Sequence, residues 1–177
     1  MRDVEVKLIS ELMKNSRRSD RVLAKAIGIS QPTVTRIRMK LEREGYINEY
    51  TMIPNYLELG FHIVSINFIK LRESLDAQKL VKAREFGQNI ADKVFPEVIV
   101  AERGKGLGYQ AVFVSLHKDY TAYVEFVEKL KRMHMFGLPE IESFLINLDD
   151  KIHYRYLTFS TLAQFVLTLK EKKEKGK

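Results

Sequence analysis

The sequence predicts an α+β chain: an N-terminal winged helix-turn-helix, a C-terminal ferredoxin-like (β-α-β-β-α-β) domain, and an extra C-terminal helix. Three observations predict it. Two short helical segments meet at a single glycine, Gly28. Four strand-like runs and two helical ones alternate between His62 and Leu148. The excess of Lys and Arg lies at the two ends, with eleven against seven Asp and Glu in residues 1–50 and five against two in residues 170–177.

The first helix, Val4 to Lys14, carries apolar Leu8, Ile9, Leu12 and Met13. The next runs from Arg21 to Ile27, with Ser19 or Asp20 as its cap. Gly28 supplies the left-handed residue that ends a helix. Ser30 caps a third helix, and Pro32 fits its first turn, where a missing N–H leaves no bond unmade. That helix runs to about Glu44 and stops at Gly45. At about 100° per residue, Val34, Ile37 and Leu41 share its inner face. Pro32, Thr35, Arg36, Met39 and Arg43 fall opposite, with Gln31, Thr33, Arg38 and Lys40 along the flanks.

An ordinary solvated helix exterior also carries Lys and Arg. The glycine turn, the cap and the basic exterior together favour DNA, because a major groove asks for base-edge donors and acceptors near the helix start and phosphate neutralisers around them. Ser30, Gln31, Pro32, Thr33, Thr35, Arg36, Arg38, Met39, Lys40 and Arg43 are therefore the expected DNA-binding residues of the helix. Arg17, Arg18 and Arg21, with Lys25, add cations where phosphates would pass.

Tyr50 to Ile53 reads as the strand after the recognition helix. Pro54-Asn55 breaks it, and Gly60 enters the second domain. The expected division is residues 1–53 for DNA binding, a linker at 54–61, the ferredoxin-like domain at 62–159, and a helix with a lysine-rich tail at 160–177. His62 to Leu71 alternates, with Val64, Ile66 and Phe68 on one face and Ser65 and Asn67 on the other. Ser74 or Asp76 caps a helix striped with Leu80, Val81, Ile90 and Val94, with a kink at Gly87, and Pro96 ends it. Val98 to Ala101 is the second strand. Gly104-Lys105-Gly106-Leu107-Gly108 turns into the third, Tyr109 to Leu116. Asp119 caps a helix bearing Tyr123, Phe126, Val127 and Leu130, which Gly137 and Pro139 close. Ile141 to Leu148 is the fourth strand.

The N-terminal third resembles the leucine-responsive/asparagine (Lrp/AsnC) type of transcriptional regulator. The resemblance rests on Leu23-Ala24, Gly28-Ile29-Ser30, Pro32-Thr33-Val34, Arg36-Ile37, Leu41-Glu42, Gly45-Tyr46-Ile47, Tyr50 and Leu59-Gly60. It implies a sequence-specific DNA-binding regulator of archaeal type. It also implies a second domain that mediates homodimerisation or higher assembly and often binds an amino-acid effector. Such regulators carry a short glycine-tyrosine-acid turn near the effector pocket. Here the segment is longer, Tyr109 matches the tyrosine, and Gln110 stands where an acid is usual. Gly104, Gly106, Gly108, Tyr109 and Gln110 are the candidate effector residues, with a plain hairpin as the alternative. A common amino acid is not the expected ligand, because a neutral amide pairs weakly with an ammonium group.

Lys151 to Phe159 reads as a fifth strand. Thr161 with Gln164 has the spacing of a capping box, and Leu162, Phe165, Val166 and Leu169 stripe a final helix. That helix would dock on its own sheet or on a partner subunit. Lys170 to Lys177 reads as a solvated end.

The chain has no cysteine and no run of about 18 apolar residues. Its start is polar and charged. A cytoplasmic, nucleoid-associated protein without metal or cofactor is expected. His62, His117, His134 and His153 are isolated, and no Gly-x-Ser-x-Gly elbow is present, so no catalytic residue is expected. The alternatives are a low-specificity architectural DNA-binding protein and, behind it, an enzyme similar to haem-pathway decarboxylases, for which His117, His153, Tyr154, Arg155 and Tyr156 would suit a tetrapyrrole.

Overall fold

The computed structural model describes residues 1–70, 81, 85, 91–132, 140–152 and 157–175. In chain order these form α1 (Asp3–Lys14), α2 (Asp20–Ile27), α3 (Gln31–Arg43), β1 (Ile63–Lys70), α4 (Ala91–Val94), β2 (Val98–Gly106), β3 (Tyr109–His117), α5 (Tyr120–Lys131), β4 (Glu140–Asn147) and α6 (Ser160–Lys175). They fall into two compact units. One joins Met1–Pro54 to the C-terminal helix, and the other is Asn55–His153.

In the first unit, α1, α2 and α3 bury Leu8, Leu12, Leu23, Val34, Ile37 and Leu41 in one core. The Ser19 hydroxyl caps α2 by accepting from the Val22 N–H, and Ser30 caps α3 by accepting from Thr33. Gly28 has φ 79°, a conformation that a Cβ would strain, and its N–H closes α2 on the Ala24 carbonyl at 2.9 Å.

The C-terminal helix corrects one expectation. α6 packs on α1, not on the sheet. Ala163 is fully buried there, and the Ser10 hydroxyl donates to its carbonyl at 2.9 Å. Leu162 and Phe165, expected on the buried stripe, are 45% and 55% exposed. Val166 of that stripe is half-buried, and small Ser10 and Ala163 supply the hydrogen-bonded contact. The side chain of Leu169 lies outside the described residues.

Tyr50 to Ile53 is a second correction, since no strand forms there. Its groups bond outside any ladder: the Tyr50 hydroxyl donates to Glu42 at 2.7 Å, and the Thr51 carbonyl accepts from Ser16 at 3.2 Å.

The second unit is an antiparallel sheet in the order β2-β3-β1-β4. β1 lies between β3, with Ile63 opposite His117, and β4, with Ile63 opposite Asn147. Beneath one face, α5 sets Phe126 and Leu130 against Ile69, Phe95, Phe113 and Ile141. The polar side of β1 faces inward. Ser65 and Asn67 are fully buried, while Val64, Ile66 and Phe68 are only half-buried on the outer face. Ser65, Ser115 and the His117 Nε2 lie within 2.8–3.0 Å of one another, Asn67 donates to Ser65 at 2.9 Å, and Ser143 donates to Asn67 at 2.7 Å. Each buried polar group thereby finds a partner inside the protein.

The hairpin between β2 and β3 differs from the expected five-residue turn. Gly104 and Gly106 belong to β2, and the loop is Leu107-Gly108 alone, with φ 52° and 82°. Positive φ at both central residues is the pattern of a type I′ turn, whose twist matches that of the strands. The extra length is taken up by a register shift between Arg103 and Gly106, a β-bulge on this edge strand. Val81, expected on an apolar stripe, is 56% exposed. Ser74, Asp76, Leu80, Gly87, Ile90, Gly137, Pro139 and His153 to Tyr156 lie outside the described residues. Lys151, Ile152 and Leu157 to Phe159 take no part in the sheet.

Candidate nucleic-acid interface

α3 is fixed from beneath by Val34, Ile37 and Leu41, each at most 2% exposed. It is fixed from both flanks by carboxylates. On one flank Asp20, the first residue of α2, accepts from the Thr35 hydroxyl at 2.6 Å and pairs with Arg38 at 2.8 Å. On the other flank Glu5 of α1 pairs with Lys40 at 3.0 Å. The Glu5 side chain is only 2% exposed, yet it is fully partnered. It accepts the Arg2 backbone N–H at 2.6 Å and the Arg2 Nε at 2.9 Å. These contacts, the backbone N–H first and then the Lys40 and Arg2 side chains, outweigh burial and lower its carboxyl from 4.5 to about 2.

The expected DNA-binding residues therefore divide. Arg38 and Lys40 are held in ion pairs, and Arg18 pairs with Glu11. Thr35 is bonded to Asp20, and Ser30 and Thr33 share a 2.8 Å hydroxyl contact at the cap. Gln31, Pro32, Arg36, Met39 and Arg43 are exposed, Met39 by 62%. Arg17, Arg21, Arg36 and Arg43 have no ion pair among the described residues and are exposed. Gln31, Thr35, Arg36, Met39 and Arg43 line one open concave surface along α3. This surface offers amide, thioether and guanidinium groups on a helix held by ion pairs on both flanks, an arrangement suited to base-edge reading.

Sequence reasoning missed Asp20, Glu5 and Arg2. Asp20 and Glu5 lie fifteen and thirty-five residues from the side chains they hold, and no helical spacing signals such pairs. Arg2, outside the expected set, also lines the concave surface.

The candidate effector residues come together only in part. The Tyr109 ring sits 5.5 Å from that of Phe68, and its hydroxyl bonds Glu142, which raises its pKa. Gln110 reaches back to the Gly108 carbonyl at 3.3 Å. Gly104 and Gly106 belong to the strand. No group of three or more His, Cys, Asp or Glu among the described residues could hold a metal ion. No helix among them is long and apolar enough to cross a membrane.

Residues 1–48 match a family model described as winged helix-turn-helix DNA-binding. The leucine-responsive regulatory protein of Rhizobium meliloti is 32% identical over 74 residues, 42% of this chain and 47% of that one. The chain thus spans about half the length of that curated relative. An uncharacterised HTH-type transcriptional regulator of Pyrococcus horikoshii is 28% identical over 150 residues, 81% of this chain and 95% of the relative. An AsnC family regulator from Agrobacterium tumefaciens, 18% identical, superposes with a TM-score of 0.70 over 92% of this chain and 99% of its own. Residues 1–48 are thus of the winged helix-turn-helix kind, and the fold is the one seen in that AsnC family regulator. Within residues 1–48, α3 is the second helix of the helix-turn-helix, and the four-stranded sheet with α5 lies in the second unit.

Proposed function

We propose that this protein is a sequence-specific DNA-binding transcriptional regulator that sets α3 in the major groove and works as a homodimer or larger assembly. The observation that carries the reading is the outward surface of α3. Arg36 and Arg43 make no ion pair among the described residues, while neighbouring Arg38 and Lys40 are consumed in holding the helix still. A bare solvated face would not need such bracing. The relatives' names as transcriptional regulators agree with this.

Assembly is argued from the sheet. One face is covered by α5, whereas the other presents Val64, Ile66, Val112, Val114, Phe144 and Ile146, with Phe144 64% exposed. A second copy of the same face would bury these side chains, and a two-fold dimer would deliver two recognition helices to two half-sites. Any effector is not a common amino acid, because Gln110 carries no charge and the Tyr109 hydroxyl is already bonded to Glu142.

The test is fluorescence anisotropy with labelled duplexes spanning the region upstream of the protein's own gene and unrelated control duplexes. Tight, duplex-selective binding that weakens in Arg36→Ala is expected. Equal affinity for every duplex would favour the architectural alternative, and no binding would refute the proposal.

A further inference from the structure

Arg2 occupies a place in the interface that no helical pattern of α3 predicts. It lines the same concave surface as Arg36, Met39 and Arg43, although it precedes α1. Its Nε donates to Glu5, and its side chain remains 62% exposed. The two terminal nitrogens of the guanidinium have no partner among the described residues. A guanidinium has five donors, so one bond to Glu5 fixes its plane and leaves a fork free for a phosphate. Lys40, the obvious cation on this flank, faces Glu5 at 3.0 Å and Glu44 at 3.7 Å and is thereby neutralised.

The two carboxylates that brace α3 also define its two sides. Asp20 marks the flank where the start of α2 brings Arg21. Glu5 marks the opposite flank, where the start of α1 brings Arg2. A helix lying in a major groove has a phosphate strand on each side. We infer that Arg2 contacts the DNA backbone on the α1 side of the groove, opposite Arg21, and that Glu5 is the positioning residue that aims it. This rests on the proposed function of α3.

The test compares the full-length protein with Arg2→Gln, Arg2→Lys and Arg36→Ala on a labelled random-sequence DNA duplex and on the best-bound duplex, across a salt series, with a thermal melt of each variant. Each lost phosphate contact should flatten the log-affinity against log-salt slope by about 0.9, so that a dimer losing two is about twelvefold less salt-sensitive between about 50 and 200 mM. The weakening should be the same on both duplexes, because a phosphate carries no sequence information. Arg2→Lys, which keeps the charge, should restore the slope even if Arg2→Gln melts earlier. An unchanged slope in Arg2→Gln, or a reduced one in Arg2→Lys, with Arg36→Ala still weakening binding, would overturn the inference and leave the reading of α3 standing. A wild-type protein that binds neither duplex would sink that reading, and this inference with it.

Discussion

Arg36 differs from Arg38 and Lys40 in having no ion pair among the described residues, so under the proposed function its guanidinium is available to a base edge. Arg36→Ala should lower affinity for the preferred duplex by about 1–3 kcal/mol and relax preference at one base position. Anisotropy with single-base variants of the duplex measures both. Lys40→Ala acts elsewhere. It removes one of the cations that partner a buried carboxylate, and Arg2 compensates in part, so stability should fall by about 1–3 kcal/mol in urea unfolding. Glu5 sets an acid limit. Its folded carboxyl titrates at about 2, against 4.5 ordinarily. The stability it contributes is present above pH 4.5 and is lost as pH falls from there towards 2, because the unfolded chain takes up the proton first. Glu5→Gln should flatten the acid limb of a stability-against-pH profile across that window. A variant whose profile keeps the wild-type slope there would assign the acid limb to other groups.

At the scale of elements, much of the first unit was legible because caps and glycines mark its boundaries chemically. Ser19, Gly28 and Ser30 do in the structure what their residue types predict. The first strand was legible because its alternation survives, with Ser65, Asn67 and Ile69 buried between half-buried neighbours. The β2–β3 turn was not, because a glycine in a bulge and a glycine in a loop look alike until register is known. The seat of α6 was not, because the deciding contact joins Ser10 to Ala163 across 153 positions and involves small side chains. The exposed face of α3 could be read from one helix, but its bracing by Asp20 and Glu5 required the fold. Ala163→Phe should test that seat. A ring in a fully buried position cannot be accommodated without moving α6, at a cost of about 1–3 kcal/mol in stability of the first unit. In the second unit, burial holds the His117 pKa below its ordinary 6.5. Its folded value being depressed, the unfolded chain binds the proton more readily. The stability of the sheet should therefore decline as pH falls below 6.5, and thermal melts of His117→Gln should lose that dependence.

At the scale of the whole molecule, charge and apolar surface are segregated. The unit containing α3 and α6 holds seventeen Lys and Arg against nine Asp and Glu, while the unit containing the sheet holds thirteen against fourteen. Under the proposed function this charge would draw a polyanion to the first unit and leave the nearly neutral second to associate with its own copy. Phe144→Glu, placed in the outer face of the sheet, should shift light scattering from dimer or larger towards monomer and weaken DNA binding at the same time. A variant that assembles normally would move the interface elsewhere. The proposed function requires α3 to read bases as one of a symmetric pair. Selection of bound duplexes from a random-sequence library measures that directly. The wild-type protein should enrich a palindromic motif whose half-sites lie about 34 Å apart, or a multiple of it, and Arg36→Ala should lose enrichment at one position in each half. Tight binding with no enriched motif, or the same motif from both proteins, would contradict the claim that α3 specifies the sequence.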